Sequence, residues 1–272
     1  MAELPELTIL QRQMDDSLRG RTIALVETHQ EKCLNVPPEL LEETLTGKRI
    51  TSVTRRGKWL YLHLEPEYYL LINLGMGADV WYYRPGNGLP GKYQFRLELD
   101  DGAGFTCRFW WFGHIRLLSP GELPEHPETA RLGPSPMELS VEEFVAIARK
   151  YPRSTVKSLI LDQDKLSGIG NAYAHDILWE ARLHPQRKLG SLTEDELRRY
   201  HQAIRSILNR GIEKGGLETD FYRSGGNLGK WKEFFLIGYK QGEPCPRCGT
   251  AVEEIKTGST KTFICPKCQV SR

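Results

Sequence analysis

The sequence predicts an α+β chain of more than one domain: a strand-rich first half, a helical second half and a small metal-stapled hairpin at the C-terminal end. Three observations carry this. Seven strand-like segments fall between residues 21 and 117. Helical spacing of apolar residues takes over from about residue 139. Two Cys-x2-Cys pairs, Cys245/Cys248 and Cys265/Cys268, close the chain with 16 residues between them. So many strands within about 100 residues, with helices following rather than alternating, point to a β-sandwich or barrel-like first domain with flanking helices.

In chain order, Pro5–Leu18 reads as a helix, with Leu7, Leu10, Met14 and Leu18 on one face and Gly20 at its end. Strands are predicted over 21–28, 49–55, 58–64, 69–74, 79–83, 93–99 and 104–117, with a short helix over Pro37–Leu45 between the first two. Tyr93, Phe95, Leu97 and Leu99 alternate with polar neighbours, the pattern of a half-buried strand. Residues 119–138 are rich in proline and acid, lack an apolar period and read as a linker. The predicted organisation is therefore a first domain over 1–118, the linker over 119–138, a helical domain over 139–233 and a zinc module over 234–272.

Within the helical part, Arg153–Pro185 is the stretch around which the rest is arranged. Val156, Leu159, Ile160 and Leu161 give one apolar helical face, and Gly168-Ile169-Gly170 breaks the helix. A second helix starts at Asn171, with Ile177, Leu178 and Ala181 inside. Gly168 and Gly170 let the backbone approach another surface closely, and the new helix begins with unpaired N–H groups at a positive dipole end, which suits a phosphate. An ordinary helical turn accounts for the same three residues. Ser140-x-x-Glu143 and Thr193-x-x-Glu196 are capping boxes, and the second opens a helix to about Lys214. Residues 217–233 are glycine-rich and read as a mobile loop. The four paired cysteines read as a structural Zn2+ site in a reducing compartment, each knuckle giving two thiolates to a tetrahedron, with a hairpin around Gly258 between them. Cys33 and Cys107 read as small buried apolar residues.

The 272 residues carry a net charge of +2, with 39% hydrophobic and 26% charged content, a soluble globular balance. No apolar run approaches a membrane span and no basic-then-apolar leader opens the chain. The charge is unevenly placed: residues 1–138 hold 15 Lys/Arg and 19 Asp/Glu, and residues 139–272 hold 22 and 16. A polyanion would be gripped mainly by the second half.

These parts in this order resemble the formamidopyrimidine-DNA glycosylase/endonuclease VIII family of base-excision repair enzymes. The likeness spans nearly the whole chain. It rests on MAELPEL at the N-terminus, RRGKWLYLHL at 55–64, LINLGMGADV at 71–80, FG at 112–113, LSGIGNAYAHDIL at 166–178, LHP at 183–185, GEPCPRCG at 242–249 and FICPKCQ at 263–269. The resemblance implies an N-terminal β-sandwich, a helix–two-turn–helix domain and a zinc finger, with DNA held between the domains. It implies a cytosolic monomer, on the nucleoid when bound, acting on double-stranded DNA with a damaged base or an abasic site. In that family an N-terminal proline amine attacks the sugar C1′, expels the base and forms a Schiff base, after which elimination cuts the strand. Carried onto this chain, the reactive amine is that of Ala2 once Met1 is removed. Glu3 is the acid/base, Glu6 the second acid and Lys58 a phosphate contact near the lesion. Lys157 and Asn171 hold the damaged strand's backbone, with Gly168, Gly170 and Lys261 beside them. Met76, Trp110 and Phe112 fill the space left by the extruded base, and the loop at 217–233 covers that base.

Several positions depart from the family pattern. Ala2 replaces proline, so the amine is primary: it can form an imine, but without a secondary amine's permanent cationic iminium or proline's fixed φ. Trp110 stands where an arginine would hydrogen-bond the estranged base and can only stack on it or donate one N–H. For Trp110 and Trp111, core packing is the competing reading. Asp176 replaces glutamate, and Thr260 replaces an arginine that grips phosphates. The first reading is a DNA glycosylase with lyase chemistry through an N-terminal amine. The alternative is a catalytically impaired damaged-DNA binder on the same scaffold, and a third is an RNA-binding zinc protein. The glycosylase reading requires the first three residues to be within reach of a sugar.

Overall fold

The computed structural model describes residues 2–216, 221–222 and 231–271, apart from the side chains of Trp231 and Lys232. The chain divides into two compact units, residues 1–130 with 215–228 and residues 131–214 with 229–272. The fold class is α+β.

The first unit is a β-sandwich headed by a helix. Helix α1 (Leu4–Leu18) buries Leu4, Leu7, Leu10, Met14 and Leu18, each worth about 1.5–3 kcal/mol when fully enclosed. Strand β1 (Ile23–Thr28) and the short helix α2 (Pro38–Leu45) follow. Strands β2 (Arg49–Arg56), β3 (Trp59–Glu65), β4 (Tyr68–Asn73), β5 (Ala78–Tyr83), β6 (Phe95–Leu99), β7 (Gly104–Phe109) and β8 (His114–Leu118) complete two antiparallel four-stranded sheets. Their orders are β1-β6-β7-β5 and β2-β3-β4-β8. Period-two burial does the work: Phe95, Leu97 and Leu99 point inward while Arg96 and Glu98 do not. Those side chains meet Ile50, Leu60, Leu62, Leu70, Ile72 and Ile115 of the other sheet in one core, which also encloses Cys33 and Cys107. Burial raises both thiols' pKa, so they sit there as small apolar groups.

Two predicted strands change. The span 104–117 is not one strand: it splits into β7 and β8, which lie in different sheets, with a turn over 110–113 between them. Strand β3 starts at Trp59 because Gly57 (φ +56°) and Lys58 form the two-residue hairpin turn after β2. Part of the proline-rich 119–138 segment is packed: His126 is 8% exposed and sits edge-on to Trp59, centroids 5.6 Å apart.

The second unit holds helices α3 (Val141–Lys150), α4 (Val156–Leu161), α5 (Asn171–Glu180), α6 (Glu194–Glu213) and α7 (Trp231–Phe234), followed by the hairpin β9 (Glu253–Thr257)/β10 (Thr260–Ile264). Both capping boxes form, with Glu143 N–H donating to Ser140 Oγ at 3.2 Å and Glu196 N–H to Thr193 Oγ1 at 3.2 Å. The predicted loop over 217–233 lies for the most part outside the described residues. Within it, Phe221 is fully buried in the first unit's core, its carbonyl accepting from Tyr82 N–H at 2.8 Å.

Candidate nucleic-acid interface

Each unit carries its own set of candidate residues. In the first, Glu3 is the N-cap of α1 and forms a reciprocal capping box with Glu6, its own N–H donating to Glu6 Oε2 at 2.9 Å. Both carboxylates are fully buried, and Gly216 packs close enough that an added Cβ would lie 3.2 Å from Glu6 Cγ. Ala2 is half-buried against the core. Of the first three residues, Met1 lies outside the described residues, Ala2 is half-buried, and Glu3 is enclosed because the residue that caps α1 goes inside with the helix. Lys58 is half-exposed at the tip of the β2–β3 turn rather than on a strand, and it has no carboxylate partner among the described residues.

Met76, Trp110 and Phe112 sit on two loops laced together. Met76 N–H donates to Trp111 O at 2.9 Å and Trp110 N–H to Gly77 O at 2.9 Å. Gly75 takes φ +56°, and a Cβ there would stand 2.1 Å from Trp111 O, so only glycine allows the two backbones to meet. Phe112 itself has φ +55°, a conformation costly for an aromatic residue. The result is a rigid platform on which Met76, Trp110, Trp111 and Phe112 are 54%, 60%, 67% and 72% exposed. The core-packing reading of Trp110 and Trp111 is corrected: the turn after β7 carries both outward. Trp110 Nε1 reaches Asp79 Oδ2 at 3.4 Å. Exposed aromatics gathered in this way make the platform a candidate interaction surface.

In the second unit, α4 and α5 are joined by a turn that Gln163 organises. Its Nε2 donates to Leu161 O (3.0 Å) and Ile169 O (2.9 Å), and its Oε1 accepts from Gly168 N–H (2.9 Å). Gly168 and Gly170 are both buried. Gly170 is the N-cap of α5 and Asn171 its first residue, with Nδ2 3.4 Å from Lys261 O and Oδ1 a buried acceptor without a partner. Lys157 is 4% exposed. Its ammonium donates to Thr257 Oγ1 (2.9 Å), Thr260 Oγ1 (2.8 Å) and Thr262 Oγ1 (2.6 Å), a cage supplied by one face of the β9–β10 hairpin. Burial lowers its pKa to about 8. Lys261 is exposed beyond the cage and paired with Glu254 at 2.8 Å. Asp176 does not face this surface. Its buried carboxylate accepts from the N–H groups of Leu236 (2.7 Å), Ile237 (3.0 Å) and Gly238 (2.9 Å), tying α5 to the segment that leads into the cysteine module. Burial raises its pKa against the pull of those three donors.

Cys245, Cys248, Cys265 and Cys268 converge with all four Sγ atoms within 4.8 Å of one another and no disulfide among them. A zinc–sulfur bond of about 2.3 Å in a tetrahedron sets sulfur–sulfur edges near 3.8 Å. Cys245–Cys268 at 3.9 Å, Cys248–Cys268 at 3.5 Å and Cys248–Cys265 at 3.4 Å fit that closed, structural geometry. The two knuckles repeat one backbone pattern: Gly249 N–H donates to Cys245 O at 2.8 Å and Gln269 N–H to Cys265 O at 2.9 Å.

Three family models match successive stretches. They are the formamidopyrimidine-DNA glycosylase N-terminal domain over residues 1–110, its H2TH domain over 132–222, and the zinc finger found in FPG and IleRS over 242–270. A formamidopyrimidine-DNA glycosylase of Chloroflexus aurantiacus is 34% identical over 275 residues, covering 100% of this chain and 98% of that one. The chain belongs to the formamidopyrimidine-DNA glycosylase family. Its counterpart in Chloroflexus aggregans is 37% identical with 99% of each chain covered. Among solved structures, Lactococcus lactis Fpg in complex with abasic-site DNA matches with a TM-score of 0.88 at 27% identity, covering 99% of this chain and 100% of that one. MutM in complex with DNA containing carbocyclic 8-oxo-G matches at 0.87 and 27%, with the same coverage.

In this glycosylase-family chain the zinc is structural, and its surroundings hold residues that sequence reasoning missed. Trp179 of α5 donates its indole N–H to Cys245 Sγ at 3.3 Å, and the Arg247 guanidinium lies 4.0 Å from the centre of its ring. Buried Gln269 accepts from Cys265 N–H at 2.9 Å and donates to Leu183 O at 3.0 Å. No spacing announces Trp179 or Gln269. The threonine cage had a faint signal in the T-G-S-T-K-T run, whose register puts Thr257, Thr260 and Thr262 on one face.

Proposed function

We propose that this protein is a base-excision-repair DNA glycosylase acting on oxidised purines in double-stranded DNA, with strand cleavage through an N-terminal Schiff base. The observation that carries it is similarity over the full length to proteins named formamidopyrimidine-DNA glycosylase, together with structural neighbours solved on Fapy-dG, abasic-site and 8-oxo-G DNA. With Met1 removed, the Ala2 amine attacks C1′ as the glycosidic bond breaks and the base leaves with the bonding pair. An α-amine with a pKa of about 7.7–8.0 is partly neutral at pH 7.5, and so nucleophilic. The nitrogen lone pair then forms the C1′=N bond as the C1′–O4′ bond opens; O4′ takes a proton from Glu3, and the two protons shed by the amine go to the departed base and back to Glu3, leaving an imine between the Ala2 nitrogen and C1′. Because the amine is primary, this imine is an electron sink only when protonated, so proton delivery by Glu3 matters more here than it would beside proline. Loss of a C2′ proton then expels the 3′ phosphate.

Lys58 of the first unit neutralises a backbone phosphate; in the second unit Lys261 and Asn171 neutralise or hydrogen-bond others, with Gly168, Gly170 and Lys157 shaping the surface beneath those two. Met76, Trp110 and Phe112 enter the space vacated by the extruded base, an extrusion costing least for a damaged one. The thiolate zinc site suits a reducing interior, and we place the protein in the cytosol, on the nucleoid when bound. The test is base release from duplexes containing Fapy-dG or 8-oxo-G, with an undamaged duplex as control. Glu3→Gln should lower the rate at least 100-fold with binding kept. Tight binding without base release by the unaltered protein would return the impaired-binder reading.

A further inference from the structure

Beside the Trp110–Phe112 platform, the first unit carries a groove of about 960 Å³ that shares Trp110 with it and whose other lining residues have no role above. Its size lies in the range of ligand clefts, about 300–1,000 Å³. Two aromatic pairs line it: exposed Trp110 and Trp111, and His29 and Tyr93, ring centroids 5.0 Å apart. Exposed Lys92 and Arg108 supply two cations with no carboxylate ion pair among the described residues, and the Arg108 guanidinium stands 5.8 Å from the centre of the Trp110 ring. The wall also includes an acid, Glu27, whose charge is engaged by Arg96 (3.2 Å), Tyr93 Oη (3.2 Å) and His29 Nε2 (3.0 Å). Gln94 has its amide spent on the Phe109 backbone, donating at 3.0 Å and accepting at 2.8 Å.

What remains on offer is π-faces and positive charge, with the exposed Gln30 amide the main group that could read the edge of a base. A stacked duplex presents no base faces to such a wall, and an apolar peptide would leave the two cations unanswered. Unstacked nucleotides satisfy both features, the bases stacking on aromatic rings and the phosphates meeting Lys92 and Arg108. We propose that this groove binds unpaired nucleotides of the undamaged DNA strand next to the lesion. The inference rests on the glycosylase reading for the DNA and adds a second foothold outside the site of chemistry. Damage within a bubble or beside a gap would then be held more tightly than damage in a continuous duplex.

The test compares full-length protein with Trp111→Ala, Lys92→Ala and the double variant. The probes are an abasic-analogue duplex that is fully paired, the same duplex with four unpaired nucleotides opposite the lesion, and a single-stranded RNA of the same length as the unpaired DNA. Anisotropy at one fixed salt concentration should show the double variant losing at least tenfold in affinity for the unpaired probe and under twofold for the paired one, with Trp111→Phe restoring most of the loss. Equal losses on both duplexes, or none on either, would overturn the proposal, as would stronger binding of the RNA than of the unpaired DNA. Base release measured on the same preparations reports the glycosylase reading separately, so either inference can fail without the other.

Discussion

Lys157 is a cation whose pKa is lowered by its burial under the hairpin that encloses it. Its pKa of about 8 lies below the value of about 10.4 for a free lysine, so between those two pH values the unfolded chain binds more protons than the folded one. Stability must then rise with pH across that window, and at pH 7 the buried ammonium costs on the order of 3 kcal/mol relative to an unperturbed lysine. Urea midpoints for the unaltered protein should climb from pH 7.5 to pH 9.5 relative to Lys157→Met; parallel curves would show that the cage stabilises the charge fully. A second residue acts on the metal. Trp179→Phe keeps an aromatic surface for Arg247 but removes the N–H donated to Cys245 Sγ, and loss of such a supporting bond typically costs about 10–100-fold in metal affinity. Chelator competition should show zinc lost at least tenfold more readily, and unchanged zinc retention would assign Trp179 to packing alone.

Among the elements, the most consequential is the pair of laced loops at 74–77 and 110–113. Gly75→Ala forces a Cβ against Trp111 O, so the loops must separate, at a cost of about 2 kcal/mol or more in stability. Affinity for abasic duplex should fall along with the melting temperature; wild-type binding in a folded Gly75→Ala protein would show that loop geometry is not what presents the aromatics. These loops also mark the limit of what the sequence revealed. Phe95, Leu97 and Leu99 disclose their strand because burial alternates with the pleat. In contrast, Phe109 to Phe112 is an unbroken aromatic run, and nothing local says that Trp110, Trp111 and Phe112 turn outward while Phe109 stays inside; that follows from the two sheets' being separate. The cysteine knuckles were legible because metal geometry fixes their spacing. The buried Glu3 and the caged Lys157 were not, since each depends on what the rest of the chain packs over it.

For the whole molecule, charge is divided as the proposed function requires, with the excess of Lys and Arg in residues 139–272. DNA affinity should therefore fall with salt, each neutralised phosphate contributing about −0.9 to the log–log slope. Lys58→Ala should flatten that slope by about one unit, and Lys261→Ala by less, because Glu254 already holds its ammonium; slopes unchanged in both would remove these lysines from the backbone contacts. The central claim is that the Ala2 nitrogen, served by Glu3, becomes bonded to the sugar. Borohydride reduction of the protein on abasic duplex, followed by peptide mass mapping, tests it most directly. A covalent adduct should form on the Ala2 amine of a chain lacking Met1, abolished by blocking that amine and reduced at least 100-fold by Glu3→Gln. No adduct despite tight binding, or an adduct mapped to a lysine side chain, would contradict it.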